Sequence, residues 1–243
     1  MAFVWTEKSI EWFVRAANET NYYQQIVNKV SHLLEDSTSV YDLGCGVGYL
    51  SMEMAKQVRQ VIAIDINDLA ISSLYKTILE KKYTNIIPRV ANWHIWQPKQ
   101  PADVVILSNC NGIINKLEKL GKLANNYIVS VLPYSNQKDS ICKLVNNKSL
   151  YLRRETINEA IHFLKDNKIP YELIDCKYEF GQPFNSWEEA KEFLTFYYDL
   201  GSEQVIQEYL NKNLVKRNND FYLPKTKQSG ILIIKKLDLV FGN

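Results

Sequence analysis

The chain has 243 residues, 46% of them hydrophobic and 23% charged, with a formal net charge of +2. That length suits one large domain with a substantial core, and the near balance of acid and base argues against a generic binder of phosphate backbones. The four cysteines, Cys45, Cys110, Cys142 and Cys176, form no C-x-x-C pair, which points away from a zinc site or a disulfide framework and toward reduced thiols in a cytoplasmic protein. Glu7 arrives too early for a signal-peptide core, and no apolar run approaches the roughly 20 residues of a membrane span, so a soluble chain is expected.

In chain order, Ile10, Phe13, Val14 and Ala17 recur at i, i+3, i+4 and i+7 and predict a first helix. After the polar stop at 18–21, Tyr23, Ile26, Val27, Val30 and Leu34 predict a second. Ser39 to Leu43 reads as a short strand running into glycines at 44, 46 and 48. Val61 to Asp65 is a buried strand by its near-continuous apolar run, followed by a helix capped near Asn67 or Asp68 with Ile71, Leu74, Tyr75 and Ile78 on one face. Ile86 to Val90 is a weaker strand, since Pro88 lacks an N–H and suits an edge. Ala102 to Leu107 and Tyr127 to Leu132 are two further buried strands, flanking a helix at 113–125.

The carboxyl half is less regular. Thr156-x-x-Glu159 and Ser186-x-x-Glu189 both fit the capping box, so a helix should follow each. Tyr171 to Cys176 and Ser229 to Lys236 complete the strands. Strands separated by helices imply right-handed crossovers, hence an α/β fold. The expected architecture is one domain with a doubly wound, mainly parallel seven-stranded sheet, helices on both faces, an N-terminal helical segment and C-terminal insertions.

The stretch Asp42-Leu43-Gly44-Cys45-Gly46-Val47-Gly48-Tyr49 carries the chemistry. Glycines let the backbone turn at positive φ and approach a ligand closely. Asp65 ends the next strand, where a carboxylate accepts hydrogen bonds from a ribose diol. The spacing is G-x-G-x-G, whereas dinucleotide sites read G-x-G-x-x-G, and Tyr49 stands at the place of their third glycine. Asp42 at the loop would repel a pyrophosphate and welcome an ammonium or a sulfonium.

Asp42 to Gly48 resembles motif I of the class I S-adenosylmethionine-dependent methyltransferases, and the strand order that follows is similar to theirs. The resemblance implies S-adenosylmethionine as cofactor and S-adenosylhomocysteine as product. It implies that Gly44, Cys45 and Gly46 line the methionine and ribose, with Asp42 shaping the loop near the amino group. Asp65 matches the ribose acid and Ile66 lies beside the adenine. Asn92 stands where the family often has an acid toward the adenine amino group, with Trp93 next to it. Ser108, Asn109 and Cys110 follow the fourth strand, where the family commonly places residues near the reacting methyl. The same likeness divides the domain into an N-terminal helical lid (1–36), a cofactor-binding core (37–135) and acceptor-side helices with the last two strands (136–243).

Other residues admit two readings. Tyr22 and Tyr23, near a helix start, either pack in the core or reach the cofactor's methionine carboxylate. Trp5, Trp12 and Phe13 read as packing residues or part of a lid. No catalytic residue is fixed. His94, a histidine in a predicted loop, is a candidate for a base, which methyl transfer does not require, and Asn109 is a second catalytic candidate. Asn109 is not followed by the Pro-Pro-aromatic run of adenine-N6 DNA methyltransferases. Ala190, Phe193, Leu194 and Tyr197 share helical spacing within the aromatic stretch 180–198, which packs as core or lines an acceptor pocket. A small-molecule acceptor is expected, with no metal, no membrane and no nucleic acid. An RNA or protein methyltransferase, or a silent S-adenosylmethionine-binding protein, is the alternative.

Overall fold

The structure is a computed structural model and describes residues 5–134, 155–198 and 202–239. Its strands are β1 (Ser39–Leu43), β2 (Gln60–Asp65), β3 (Ile86–Val90), β4 (Ala102–Ser108), β5 (Ala124–Pro133), β6 (Glu172–Glu179), β7 (Gln182–Phe184), β8 (Val215–Lys216), β9 (Phe221–Leu223) and β10 (Thr226–Lys235). Seven of them form one sheet in the order β3-β2-β1-β4-β5-β10-β6. β1 to β5 run parallel, and β10 lies antiparallel between β5 and β6. The expected mainly parallel seven-stranded sheet is the one observed. β3 forms its outer edge, so Pro88 leaves no ladder bond missing on an inner strand.

The helices are α1 (Glu7–Glu19), α2 (Tyr22–Val30), α3 (Tyr49–Met54), α4 (Asp68–Lys81), α5 (Ile113–Leu123), α6 (Ile157–Asp166), α7 (Trp187–Tyr197) and α8 (Glu203–Asn213). Strand side chains alternate between two faces. Val40, Val61, Ala63, Val104, Ile106, Val129 and Val131 join a core with α2, α3 and α4. Their neighbours Tyr41, Leu43, Ile64, Val105, Leu107, Ile128 and Leu132 join another with α5 and α6. Burial on both faces explains why these strands read as unbroken apolar runs rather than alternating ones. Among the described residues no helix is long and apolar enough to cross a membrane.

Capping sets several boundaries. Asn67, not Asp68, caps α4 by accepting the Ala70 N–H, and Thr156 with Glu159 closes a full capping box on α6. The box expected at Ser186 and Glu189 forms only in half. Ser186 accepts the Glu189 N–H, but the Glu189 carboxylate turns to Trp12 Nε1 (3.0 Å), Arg15 Nη1 (3.0 Å) and the Asn185 N–H (2.8 Å). A buried carboxylate gains more from a guanidinium and an indole than from its own helix turn. Burial opposes its charge, yet Arg15, the Asn185 N–H and Trp12 together hold Glu189 at about 2.

That contact ties α1 to the carboxyl half. Trp12 is fully buried in a third core with Phe184, Ala190, Leu194, Tyr198, Ile206 and Leu210. Most of the aromatic 180–198 stretch is therefore packing, and only Phe180 leaves it for the core of α2 to α4. α8 and the small β7-β9-β8 sheet complete this region. Cys142 lies outside the described residues.

Candidate active site

The strand order reverses between β1 and β4, which opens a crevice beyond their carboxyl ends. The glycine loop occupies one side of it. The Gly44 and Cys45 N–H groups both donate to the Ile64 carbonyl, at 2.8 and 3.0 Å, which ties the loop to β2. Gly46 and Gly48 have φ of 55° and 76°. A β-carbon on Gly48 would meet Leu74 at 2.4 Å, so only glycine lets α3 start where it does. A β-carbon on Gly46 would meet the Trp5 ring at 2.9 Å, so the indole of the N-terminal segment lies directly on the loop. On the other side of the crevice Cys110 Sγ stands 2.7 Å from where a Gly44 β-carbon would be, bringing the loops after β1 and β4 into contact.

The Asp65 carboxylate accepts the Gly46 N–H on Oδ2 and the Asn67 N–H on Oδ1, each at 2.8 Å. Each oxygen keeps a further lone pair. Asp65 thus braces the loop, while the helix cap is Asn67. Asp42 is 1% exposed, with Ser51 Oγ donating to it at 2.5 Å. Burial raises its carboxyl to about 7, with the Asp65 charge adding to the rise and Ser51 opposing it. Its carboxyl is therefore enclosed in the core at the base of the loop, and Cys45 beside it is also pushed up by burial.

Beyond β2, Ile66 is 51% exposed. Asn92 Oδ1 accepts the His94 N–H at 3.0 Å, and Trp93 is buried against Gly112, with His94 stacked on it at 4.1 Å. Desolvation and the cations Lys116 and Lys119 lower the His94 imidazole. Asn109 follows β4 at φ 53°, a strained setting for a non-glycine residue, held by its N–H to Val131 O (2.9 Å). Its side chain donates to Ser108 Oγ at 3.4 Å and lies beside the Tyr22 hydroxyl. Tyr23 packs with Phe13, Tyr22, Tyr49 and Phe180 at ring separations of 5.0 to 6.1 Å.

The glycine loop, Asp65 and Cys110 are therefore joined at the crevice, and Asn109 meets α2. His94 stacks on Trp93. The sequence reading missed Glu155. Its buried carboxylate accepts the N–H groups of Gly112 (2.8 Å), Ile113 (3.0 Å) and Ile114 (2.8 Å), fixing the loop after β4 and the start of α5. Its partners lie 41 to 43 residues back, so no local spacing announces it. Among the described residues no group of His, Cys, Asp and Glu could hold a metal ion.

A family model described as a methyltransferase domain matches residues 34–196, which is most of the chain. The chain belongs to that family. Membership in the methyltransferase-domain family implies S-adenosylmethionine as methyl donor. The chain is 32% identical over 74 residues to the "Probable ribosomal RNA small subunit methyltransferase A" of Methanosphaera stadtmanae, and spans 27% of that relative's length and 28% of its own. Among solved structures it superposes on the YcgJ protein of Bacillus subtilis with a TM-score of 0.55 at 13% identity, covering 88% of this chain and 97% of that one. It superposes on precorrin-6y C5,15-methyltransferase of Geobacter metallireducens with a TM-score of 0.53 at 12% identity, covering 87% and 88%. At such identities the structural likeness speaks for the fold.

Proposed function

We propose that this methyltransferase-family protein moves a methyl group from S-adenosylmethionine to a small-molecule acceptor, in the cytoplasm. The observation that carries the reading is the Asp65 carboxylate, hydrogen-bonded to Gly46 at the crevice with lone pairs to spare. Asp65 would accept the ribose hydroxyls, and the exposed Ile66 would cover the adenine with Trp93 and Asn92 near its rim. Gly44, Cys45 and Gly46 would carry the methionine, with Ser108 and Tyr23 at its far end. Asp42, enclosed against Ser51, would shape the loop from beneath rather than touch the ligand. The residues present fit such a group, because the loop lacks side chains where a ligand would pass and the nearby acids are one half-buried and one core carboxyl.

The bound cofactor supplies an activated methyl on sulfur, the chemical drive of the reaction. The chain's part is to align donor and acceptor and to exclude water, which can lower a barrier by about 7–11 kcal/mol in favourable cases. Residues 1–36 are proposed as the lid, 37–135 as the cofactor core and 136–243 as the acceptor side. Trp5 on Gly46 and Phe13 against Tyr49 are the side chains that close over the loop. The acceptor would lie between the 108–110 turn, α1 and α2, and Phe180. Methyl transfer needs no base from His94. Burial pushes Cys110 up to about 12, which keeps it a thiol.

The aromatic wall of Phe13, Tyr22, Tyr23 and Phe180 favours a small acceptor. RNA is the second reading, favoured by the similarity to a probable ribosomal RNA methyltransferase. Protein incubated with methyl-labelled S-adenosylmethionine, a metabolite extract and total RNA decides between them. Label in the low-molecular-mass fraction is expected. Label in RNA would establish the second reading, and no transfer to either would leave a silent binding protein.

A further inference from the structure

α4 covers the β2–β3 margin of the sheet, and its outer stripe is not uniformly polar. Asp68, Ser72, Tyr75, Leu79 and Lys82 recur at i, i+4, i+7, i+11 and i+14, so they share one exposed side of the helix. Tyr75 is 54% exposed, Leu79 61%, and Val90 at the end of β3 52%. Between helix and strand runs a groove of about 500 Å³, lined by Ile71, Ser72 and Tyr75 of α4 and by Pro88, Arg89 and Val90 of β3. Other exposed apolar side chains, Leu173 on β6, Val215 on β8 and Leu237 past β10, stand singly. A contiguous apolar stripe with a groove along one margin is the kind of surface that a partner covers.

The ends of the stripe say which partner. Asp68 stands at the amino end of α4 and Lys82 caps its carboxyl end, and among the described residues neither side chain has an ion-pair partner. Both lie seven residues from Tyr75. A two-fold axis at Tyr75, laying a second α4 antiparallel on the first, therefore sets each Asp68 against a Lys82 and makes two ion pairs. The same axis sets Leu79, four residues after Tyr75, against Ile71, four residues before it, at the groove that Ile71 and Ser72 line. Acid, groove, apolar side chain and base thus complement their own image, as an isologous interface requires. Pro88 blunts the β3 edge against a continued sheet, which leaves the pairing to the side chains of α4 and the groove.

We propose that α4 and the β3 edge form the interface of a two-fold symmetric homodimer, a second copy of this chain being the partner. The proposal does not depend on which acceptor is methylated. Sedimentation equilibrium over a concentration series tests it, at low salt where exposed ion pairs are least screened. The 28.3 kDa chain should associate to twice its mass. Leu79→Glu should weaken the dimer by at least about a hundredfold, because the symmetry enters each substitution twice. Asp68→Lys alone and Lys82→Asp alone each set like charges face to face, and each should weaken self-association by about tenfold. Mixed in equal amounts, the two variants should pair about as tightly as the wild type, since every Lys then faces an acid. All three positions are exposed, and circular dichroism checks that each variant is folded. A wild type that stays monomeric at every concentration overturns the proposal, whether the stripe is bare or serves another protein. A dimer that Leu79→Glu leaves intact also overturns it, as does a mixture that associates no better than either charge variant alone.

Discussion

Asp42→Asn should change the pH dependence of stability in a way that isolates the carboxyl below the glycine loop. The folded protein holds Asp42 at about 7 against an ordinary 3.8, chiefly through burial. At 1.36 kcal/mol per unit, ionising it inside the fold costs roughly 4 kcal/mol. The folded value is raised, so the contribution to stability is full below the unfolded value and is lost as pH rises from about 4 to about 7. Asparagine has the same shape, can still accept from Ser51, and does not titrate. The variant should therefore gain on the wild type by about 2–3 kcal/mol between pH 5 and pH 8, or roughly 5–10 °C in melting temperature for a chain of this size. Urea titrations of both proteins at several pH values give the difference directly. Parallel curves across that window would refute the claim that Asp42 is a buried, largely neutral acid.

Two further outcomes follow from named contacts. Glu189→Ala should destabilise the fold by about 3 kcal/mol, since it leaves the Trp12 indole N–H without its carboxylate and Arg15 with only the exposed Glu11; a loss below about 0.5 kcal/mol in denaturant titration would contradict the α1–α7 tie. Glu189 is depressed to about 2, so its contribution is present above the ordinary 4.5 and fades as pH falls toward 2. Hydrogen exchange with and without S-adenosylhomocysteine should show added protection in residues 5–23, because Trp5 lies on Gly46; protection confined to 42–48 and 65 would remove the lid from the account.

The sheet was legible because parallel strands covered on both faces cannot alternate, and Val61 to Asp65 or Ala102 to Leu107 then stand out as unbroken apolar runs. Pro88 announced an edge through the N–H it lacks. β5 starts at Ala124, earlier than its apolar run, because Asn125 and Asn126 are exposed and carry no hydrophobic signal. β7, β8 and β9 have two or three residues each, too short for any period to show. α8 leaves a weak signal because its apolar face is narrow, with Ile206 and Leu210 its buried residues. At the site, the glycine loop and Asp65 could be read from spacing because local backbone geometry demands them. Glu155 on the α5 start, Ser51 on Asp42 and the Tyr22 hydroxyl at Asn109 depend on tertiary packing, which leaves no periodic trace.

The most direct measurement of the central claim is a calorimetric titration of wild type and Asp65→Ala with S-adenosylhomocysteine and, separately, with NAD. The account predicts that the wild type binds S-adenosylhomocysteine in preference to NAD. Asp65→Ala should bind it roughly ten- to a hundredfold more weakly with the fold intact, the worth of hydrogen bonds to a charged carboxylate. Tight NAD binding with no heat from S-adenosylhomocysteine, or an affinity untouched by the loss of Asp65, would contradict it.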